Sequence, residues 1–419
     1  MKPTLESARE FDLKDPFRKF RNEFVLPHVD GQSDIYLVGN SLGLLPRRTE
    51  GLIKQELEKW GALGVRGHFS GEYPWLSYHE SLLEPMAAIV GGLPDEVITM
   101  NTLTVNLHLM MATFYRPSGQ RKKILIEKHA FPSDKNAVES QIRLHGNVPN
   151  ECLIEIEPDN GELFSTSRIL EAIDANKETL ALILLPGVQY YTGQVFDMQQ
   201  ITAAAHERGL TIGFDLAHAA GNVPMALHDW NVDFACWCSY KYLNSGPGSL
   251  AGCFIHQCHA TNTKLNRLAG WWGHDKQSRF EMEGDFNAIP TAEGWQLSNP
   301  PILSLAAVRS SLEVFTEAGG VEKLNDKSKQ QGQFFRDCLQ QRLGERVHAI
   351  APIEESGCQL SLEVNFEGVS GREVHENLES KGVRTDWREP NVIRAAPVPL
   401  YNSFEDIWRF VELLGDSIE

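Results

Sequence analysis

Ile212-Gly-Phe-Asp215-Leu-Ala-His218-Ala-Ala-Gly221, with Ser239-Tyr240-Lys241-Tyr242 placed so that Lys241 stands 26 residues beyond Asp215, is the stretch that decides the fold. Thr211–Phe214 and Phe234–Trp237 are short apolar runs of strand length, each running into polar residues at its carboxyl end. Outward from them, Lys123–Ile126, Cys152–Ile156 and Leu180–Leu185 also read as buried strands. Ser133–Leu144, Ser167–Asn176 and Asp197–Arg208 carry apolar residues at helical spacing. Strand–helix alternation at this rhythm predicts βαβ units, and so an α/β fold with a mostly parallel sheet flanked by helices. The Gly-rich turn Asn244-Ser-Gly-Pro-Gly248 leads to one more expected strand, Ala251–Ile255.

Past Asn299-Pro300-Pro301 the pattern changes. Two long helices, Ser304–Glu317 and Val321–Leu343, precede strands at Gln359–Val364 and Val392–Ala395, with helices at Gly371–Lys381 and Ser403–Leu414. The reading is a large domain over residues 61–300 and a smaller α+β domain over 301–419. Residues 1–60, mostly helix and loop, are expected to pack on the small domain. The 419 residues carry 39 Lys plus Arg against 56 Asp plus Glu, a net charge of −17, which argues against a nucleic-acid or anionic-membrane surface. No apolar run is long enough to span a bilayer, and the start of the chain lacks the apolar core of a signal peptide. Seven cysteines, mostly in apolar runs, fit the reduced thiols of a cytoplasmic protein. Cys236-Trp-Cys238 has no second Cys or His pair at zinc spacing, so no metal is expected.

The chemistry lies at the ends of the predicted strands, where open α/β sheets place their ligands. Asp215 closes an apolar strand, and a buried carboxylate there is costly without a partner. Lys241, at the mouth of the same core, is placed for covalent chemistry with a carbonyl compound. Pyridoxal phosphate needs both groups, a lysine for its aldehyde and an aspartate for its ring nitrogen. For the phosphate, Asn101-Thr-Leu-Thr104-Val-Asn106 precedes the helical run His108–Tyr115. Thr104 stands where an N-cap would sit, so free amides and the helix dipole could hold an anion. Ala130-Phe131-Pro132-Ser133-Asp134 opens another helix, with Phe131 able to stack on a ring and Asp134 able to reach its polar edge. Arg394 interrupts the strand Val392–Ala395, and a guanidinium there is the fork that grips a carboxylate by two hydrogen bonds.

With these residues in hand, the chain resembles the fold-type-I pyridoxal-phosphate enzymes of the class V aminotransferase group, and within them the kynureninase family. The resemblance runs from about Ile35 to the C-terminus. It rests on Thr104-Val-Asn-Leu-His108, Ala130–Asp134, Gly213–His218, Asp233–Asn244, Ser298-Asn-Pro-Pro301 and Arg394–Ser403, with Tyr240 rather than His before the lysine. It implies a hydrolase that cleaves the Cβ–Cγ bond of 3-hydroxy-L-kynurenine and L-kynurenine. The products would be 3-hydroxyanthranilate or anthranilate and L-alanine, in tryptophan degradation or NAD biosynthesis. By resemblance, Lys241 bonds to the cofactor's aldehyde and acts as base, Asp215 binds the ring nitrogen, and Tyr240 transfers a proton near the substrate carbonyl. Leu103, Thr104, Phe131, Pro132, Ser133, Asp134, His218 and Tyr240 surround the cofactor. Trp271 and Asn299 reach the neighbouring subunit's site in a homodimer with shared active sites. Arg394 takes the substrate carboxylate, and His68, Ser298 and Asn299 line its aromatic end. A cysteine desulfurase is the nearest rival, since Cys358 lies 117 residues beyond Lys241. That chemistry needs a mobile, low-pKa thiol, whereas Gln359–Val364 continues from Cys358 as a strand, predicting a rigid core residue. An aminotransferase is a second rival, and a binding protein that keeps the fold without the cofactor is a third.

Overall fold

The structure, a computed structural model, describes residues 2–418 apart from Asp30, Asn160, Glu283, Asn365 and Glu367. Helix α1 (Leu5–Lys14) starts at a reciprocal Thr4–Ser7 capping box, and α2 spans Arg48–Leu63. The large sheet follows with β1 (Val97–Met100), β2 (Lys123–Glu127), β3 (Leu153–Ile156), β4 (Leu180–Pro186), β5 (Ile212–Asp215), β6 (Phe234–Trp237) and β7 (Ala251–Ile255). Their order across the sheet is β1-β7-β6-β5-β4-β2-β3. Strands β2 to β6 pair in parallel, while β7 runs antiparallel to both β6 and β1. β5, β6 and β7 are buried at every position, because helices cover both faces, and that is why they read as continuous apolar runs rather than alternating ones. Phe214 and Phe234 are fully buried; a side chain of this kind contributes about 1.5–3 kcal/mol by leaving water.

β1 is absent from the sequence reading. Four buried residues, Val-Ile-Thr-Met, between a 3-10 turn and a helix carry no period that separates strand from helix; only pairing with β7, from more than 150 residues away, makes them a strand. Two boundaries differ as well. Cys152 closes a short helix, Pro149–Cys152, rather than opening β3. Helix α3 (Leu103–Phe114) begins a full turn earlier than the run from His108, with Thr102 in the N-cap position, so Thr104 sits in its first turn instead of capping it. The Ser133 helix, α4 (Pro132–Leu144), takes proline at its first position, where the missing N–H costs nothing.

Beyond Pro301, α5 (Ile302–Ala318) and α6 (Gly320–Leu343) lead into a four-stranded sheet. Its strands are β8 (Val347–Ala349), β9 (Leu360–Val364), β10 (Asp386–Arg388) and β11 (Val392–Ala395), in the order β8-β9-β11-β10. The last helix, α7 (Phe404–Gly415), has a capping box of Ser403 and Asp406. Both ends of the chain meet here. Phe11 of α1 stacks on Phe404 at 4.9 Å, Ile35–Tyr36 pairs with Val383–Arg384, and Ala8 and Leu37 share a core with Phe334, Ile393 and Phe410. The early segment does more than pack on this unit: Gly43 N donates to Tyr240 O at 2.8 Å, beside the lysine. A Cβ at Gly43 would stand 2.3 Å from Lys241 O, so only glycine allows that approach. No described helix is long and apolar enough to cross a membrane.

Candidate active site

The carboxyl ends of β2, β4 and β5, the turn after β6 and the first turns of α3 and α4 surround a cleft of about 340 Å³. Lys241 and Asp215 both line it, as do Leu103, Thr104, Phe131, Ser133 and Asp134 from the helix starts. His218, Tyr240 and Arg394 complete the sequence-expected set that one chain brings together. Asp215 is the last residue of β5, and the fully buried Phe214 beside it holds its backbone; its Oδ1 accepts from Ala217 N at 2.6 Å. Lys241 Nζ lies 2.9 Å from His218 Nε2. Burial, reinforced by the charge on Lys241, pushes the His218 imidazole well below its ordinary value, so the ring is neutral and takes the lysine's hydrogen bond. Asp134 is shifted the other way. Burial and then the neighbouring Asp215 hold its carboxyl well above the usual carboxylate range, which favours the protonated acid at Asp134. Tyr240 is likewise pushed up, chiefly by burial, and keeps its phenolic proton.

Phe131 is partly exposed in the cleft, its ring 6.0 Å from Lys241 Nζ and 5.2 Å from the Tyr190 ring. Arg394, only 2% exposed, has its guanidinium 5.9 Å from the Tyr190 ring. Its Nη1 donates to Tyr190 O at 2.6 Å, and its Nη2 to Asp386. Thr104 Oγ1 and Ser133 Oγ meet at 2.8 Å across the first turns of α3 and α4. Two helix starts with free amides and paired hydroxyls make an anion site, which fits a phosphate. A lysine, a buried aspartate, an aromatic lid and this cradle together fit pyridoxal phosphate.

Other expected residues stand elsewhere. Pro132 starts α4 without facing the cleft. His68 packs edge-on to Trp75 at 5.3 Å, outside the lining. Trp271 is 41% exposed and donates through Nε1 to Arg279 O; Ser298 and Asn299 are exposed too, and none of the three reaches the chain's own cleft. Conversely, the cleft contains residues the sequence reading missed: Asn40, Ser41, Glu127, Tyr190 and Arg388. Asn40 is fully buried with neither amide atom hydrogen-bonded among the described residues, ready to bond something that enters. The polar pair Asn40-Ser41 between Gly39 and Gly43 was its only signal, and nothing local ties that loop to Lys241.

Cys358 is buried, and burial raises its thiol to about 12, so it has none of the exposure or acidity a desulfurase nucleophile needs. Of the other cysteines, only Cys258 is exposed. Two clusters with possible metal-ligand atoms occur among the described residues, neither at the cleft. In one, Lys276 already bridges Glu80 and Glu293; in the other, the Glu96 carboxylate is satisfied by Leu93 N, Gln257 N and His228 Nδ1.

Comparison with known proteins agrees with this geometry. Residues 324–414 match the kynureninase C-terminal domain, and residues 77–225 the DegT/DnrJ/EryC1/StrS aminotransferase family. Among solved structures, the chain superimposes on a cystine C–S lyase, C-DES, captured with cysteine persulfide (TM-score 0.76, 17% identity, 91% of this chain and 97% of that one). It also superimposes on the cysteine desulfurase of Thermococcus onnurineus NA1 (TM-score 0.77, 15% identity, 96% and 98%). At such identity these show a shared fold. The kynureninase of Xanthomonas campestris pv. campestris (strain B100) is 52% identical over 408 residues, covering 97% of this chain and 96% of that protein. That of Stenotrophomonas maltophilia (strain K279a) is 51% identical over 409 residues, with 97% and 96% covered. A cleft built on Lys241 and Asp215, together with identity of one residue in two along almost the whole length, means that this chain belongs to the kynureninase family of pyridoxal-phosphate enzymes.

Proposed function

We propose that the chain hydrolyses the Cβ–Cγ bond of L-kynurenine and 3-hydroxy-L-kynurenine, releasing L-alanine with anthranilate or 3-hydroxyanthranilate. The observation that carries this is the convergence of Lys241, Asp215 and Arg394 on one cleft in a chain of this family. The reaction would serve tryptophan degradation or NAD biosynthesis from tryptophan. Six buried thiols support a reducing, cytoplasmic setting.

Bound pyridoxal phosphate supplies an electron sink for the carbanions at the substrate's Cα and Cβ. The residues do the rest. Thr104 and Ser133 would hold the phosphate, Phe131 would cover the ring, and the Asp215 carboxylate would accept a hydrogen bond from the protonated ring nitrogen and keep it protonated. Lys241 Nζ would remove the Cα proton, its lone pair positioned by the neutral His218. Tyr240, protonated at its phenol oxygen, would deliver a proton near the substrate carbonyl. Arg394 would take the α-carboxylate and orient the chain toward Lys241.

The pocket's aromatic end, by this reading, is completed by the partner subunit of a homodimer. Support comes from Trp271, Ser298 and Asn299 lying exposed and away from their own cleft, with the Trp271 ring 5.6 Å from exposed Phe280. Mixing Lys241→Ala chains with Asn299→Ala chains is expected to restore activity by making heterodimers with one intact site. If activity stays at the parental level after verified subunit exchange, the pocket is built within one chain.

His68, Ser298 and Asn299 are polar groups suited to a ring hydroxyl, and a site built to bond a hydroxyl discriminates against a substrate that lacks it. We therefore expect kcat/KM for 3-hydroxy-L-kynurenine to exceed that for L-kynurenine by about tenfold or more. Both substrates should yield L-alanine in equal amount to the aromatic product. A wild-type enzyme that prefers L-kynurenine removes the hydroxyl-reading role, and one that cleaves neither substrate removes the proposed function.

A further inference from the structure

The site described so far leaves Arg388 without a task, although it lines the cleft beside Arg394. The two guanidiniums come from neighbouring strands, β10 and β11, in which Asp386 is the register partner of Arg394. Asp386 Oδ2 accepts from Arg388 Nη2 at 3.0 Å and also from Arg394 Nη2. One carboxylate oxygen therefore serves two arginines. Both keep a buried Nε with no hydrogen-bond partner among the described residues, so donor capacity remains on each. Arg394 is almost wholly enclosed, and a buried charge of that kind demands a counter-charge. Asp386 does not line the cleft, while both guanidiniums do. The trio thus carries two positive charges and one negative, leaving one net positive charge facing the space where an amino acid would lie.

We infer that Arg388 is a second substrate-carboxylate residue, and that Asp386 is a positioning residue that holds both guanidiniums and tempers their charge to match a single carboxylate. This rests on the reading of the cleft as an amino-acid site. The Asp386 carboxylate orients the two forks, and its negative charge keeps the small amino-acid product from being held too tightly.

The test is a charge ladder read by binding. L-Alanine is titrated into the holoenzyme and followed by the change in cofactor absorbance. The trio carries one net positive charge in the wild type, two in Asp386→Asn, none in Arg388→Gln, and one again in the double variant. The expected order of L-alanine affinity is Asp386→Asn above wild type, the double variant close to wild type, and Arg388→Gln below it. The steps should be roughly tenfold, the scale of one charge-assisted hydrogen bond. Asp386→Ser, a second neutral replacement, is expected to follow Asp386→Asn. Ethylamine, which lacks the carboxylate, should bind all of these proteins alike. A merely structural aspartate predicts weaker binding on its removal, so tighter binding is the distinguishing result. If neither Asp386 variant binds L-alanine more tightly than wild type, or if ethylamine shows the same ladder, the inference is overturned. L-Kynurenine turnover by the wild type separates this outcome from failure of the proposed function, because the alanine titration does not depend on it.

Discussion

Lys241→Ala is expected to leave a folded protein whose turnover falls to below about a thousandth of wild type, since removing a covalent catalyst costs several powers of ten. The structure sharpens the expectation. Lys241 Nζ contacts His218 Nε2, and His218, held neutral by burial, is a poor substitute base toward Phe131 and the cleft. Among the described residues no second lysine lines the cleft, so none there can bond to the cofactor's aldehyde in its place. The fold itself should survive, because β5 and β6 are held by fully buried Phe214, Phe234 and Trp237, none of which leans on the lysine's charge. Steady-state assays and the visible spectrum of the purified variant check this together. Residual activity above that level without added amine, or an unchanged cofactor band, would contradict the assignment of Lys241.

Arg394→Lys comes second in size, with kcat/KM for kynurenine expected to fall roughly 10–150-fold, the range for a charge-assisted pair. Arg394 spreads its donors over three nitrogens: Nη1 on Tyr190 O, Nη2 on Asp386, and Nε without a protein partner. An ammonium gathers its three donors on one atom and cannot span those positions while gripping a carboxylate. The site is also too enclosed for water to replace the lost bonds. The loss should appear mainly in KM and in the affinity for L-alanine. A change in kcat/KM of less than about twofold would place Arg394 outside the substrate site.

Much of this molecule can be read along the chain. Strands with both faces covered read as near-continuous apolar runs, and helices on a sheet keep their 3.6-residue period, so β2 to β7 and the helices after Pro301 are legible from local pattern. Asp215 and Lys241 are legible for the opposite reason: each is a charge at the end of an apolar run, where burial would be costly unless it served something. What local pattern cannot carry is partnership. Val97–Met100 becomes a strand only against β7, and Thr102, extended at the end of that strand's turn, stands at the N-cap of the helix while Leu103 and Thr104 are already helical. Asn40 and Arg388 are ordinary polar residues until the fold brings the first fifty residues and β10 to the lysine. Sequence alone determined the α/β class, the strand–helix alternation from Lys123 to Ile255, and the lysine, aspartate and arginine that line the cleft, because burial and periodicity act within a few residues. The tertiary structure alone decided which cleft residues join them, because Asn40, Tyr190 and Arg388 reach the lysine only through contacts between segments that the chain keeps far apart.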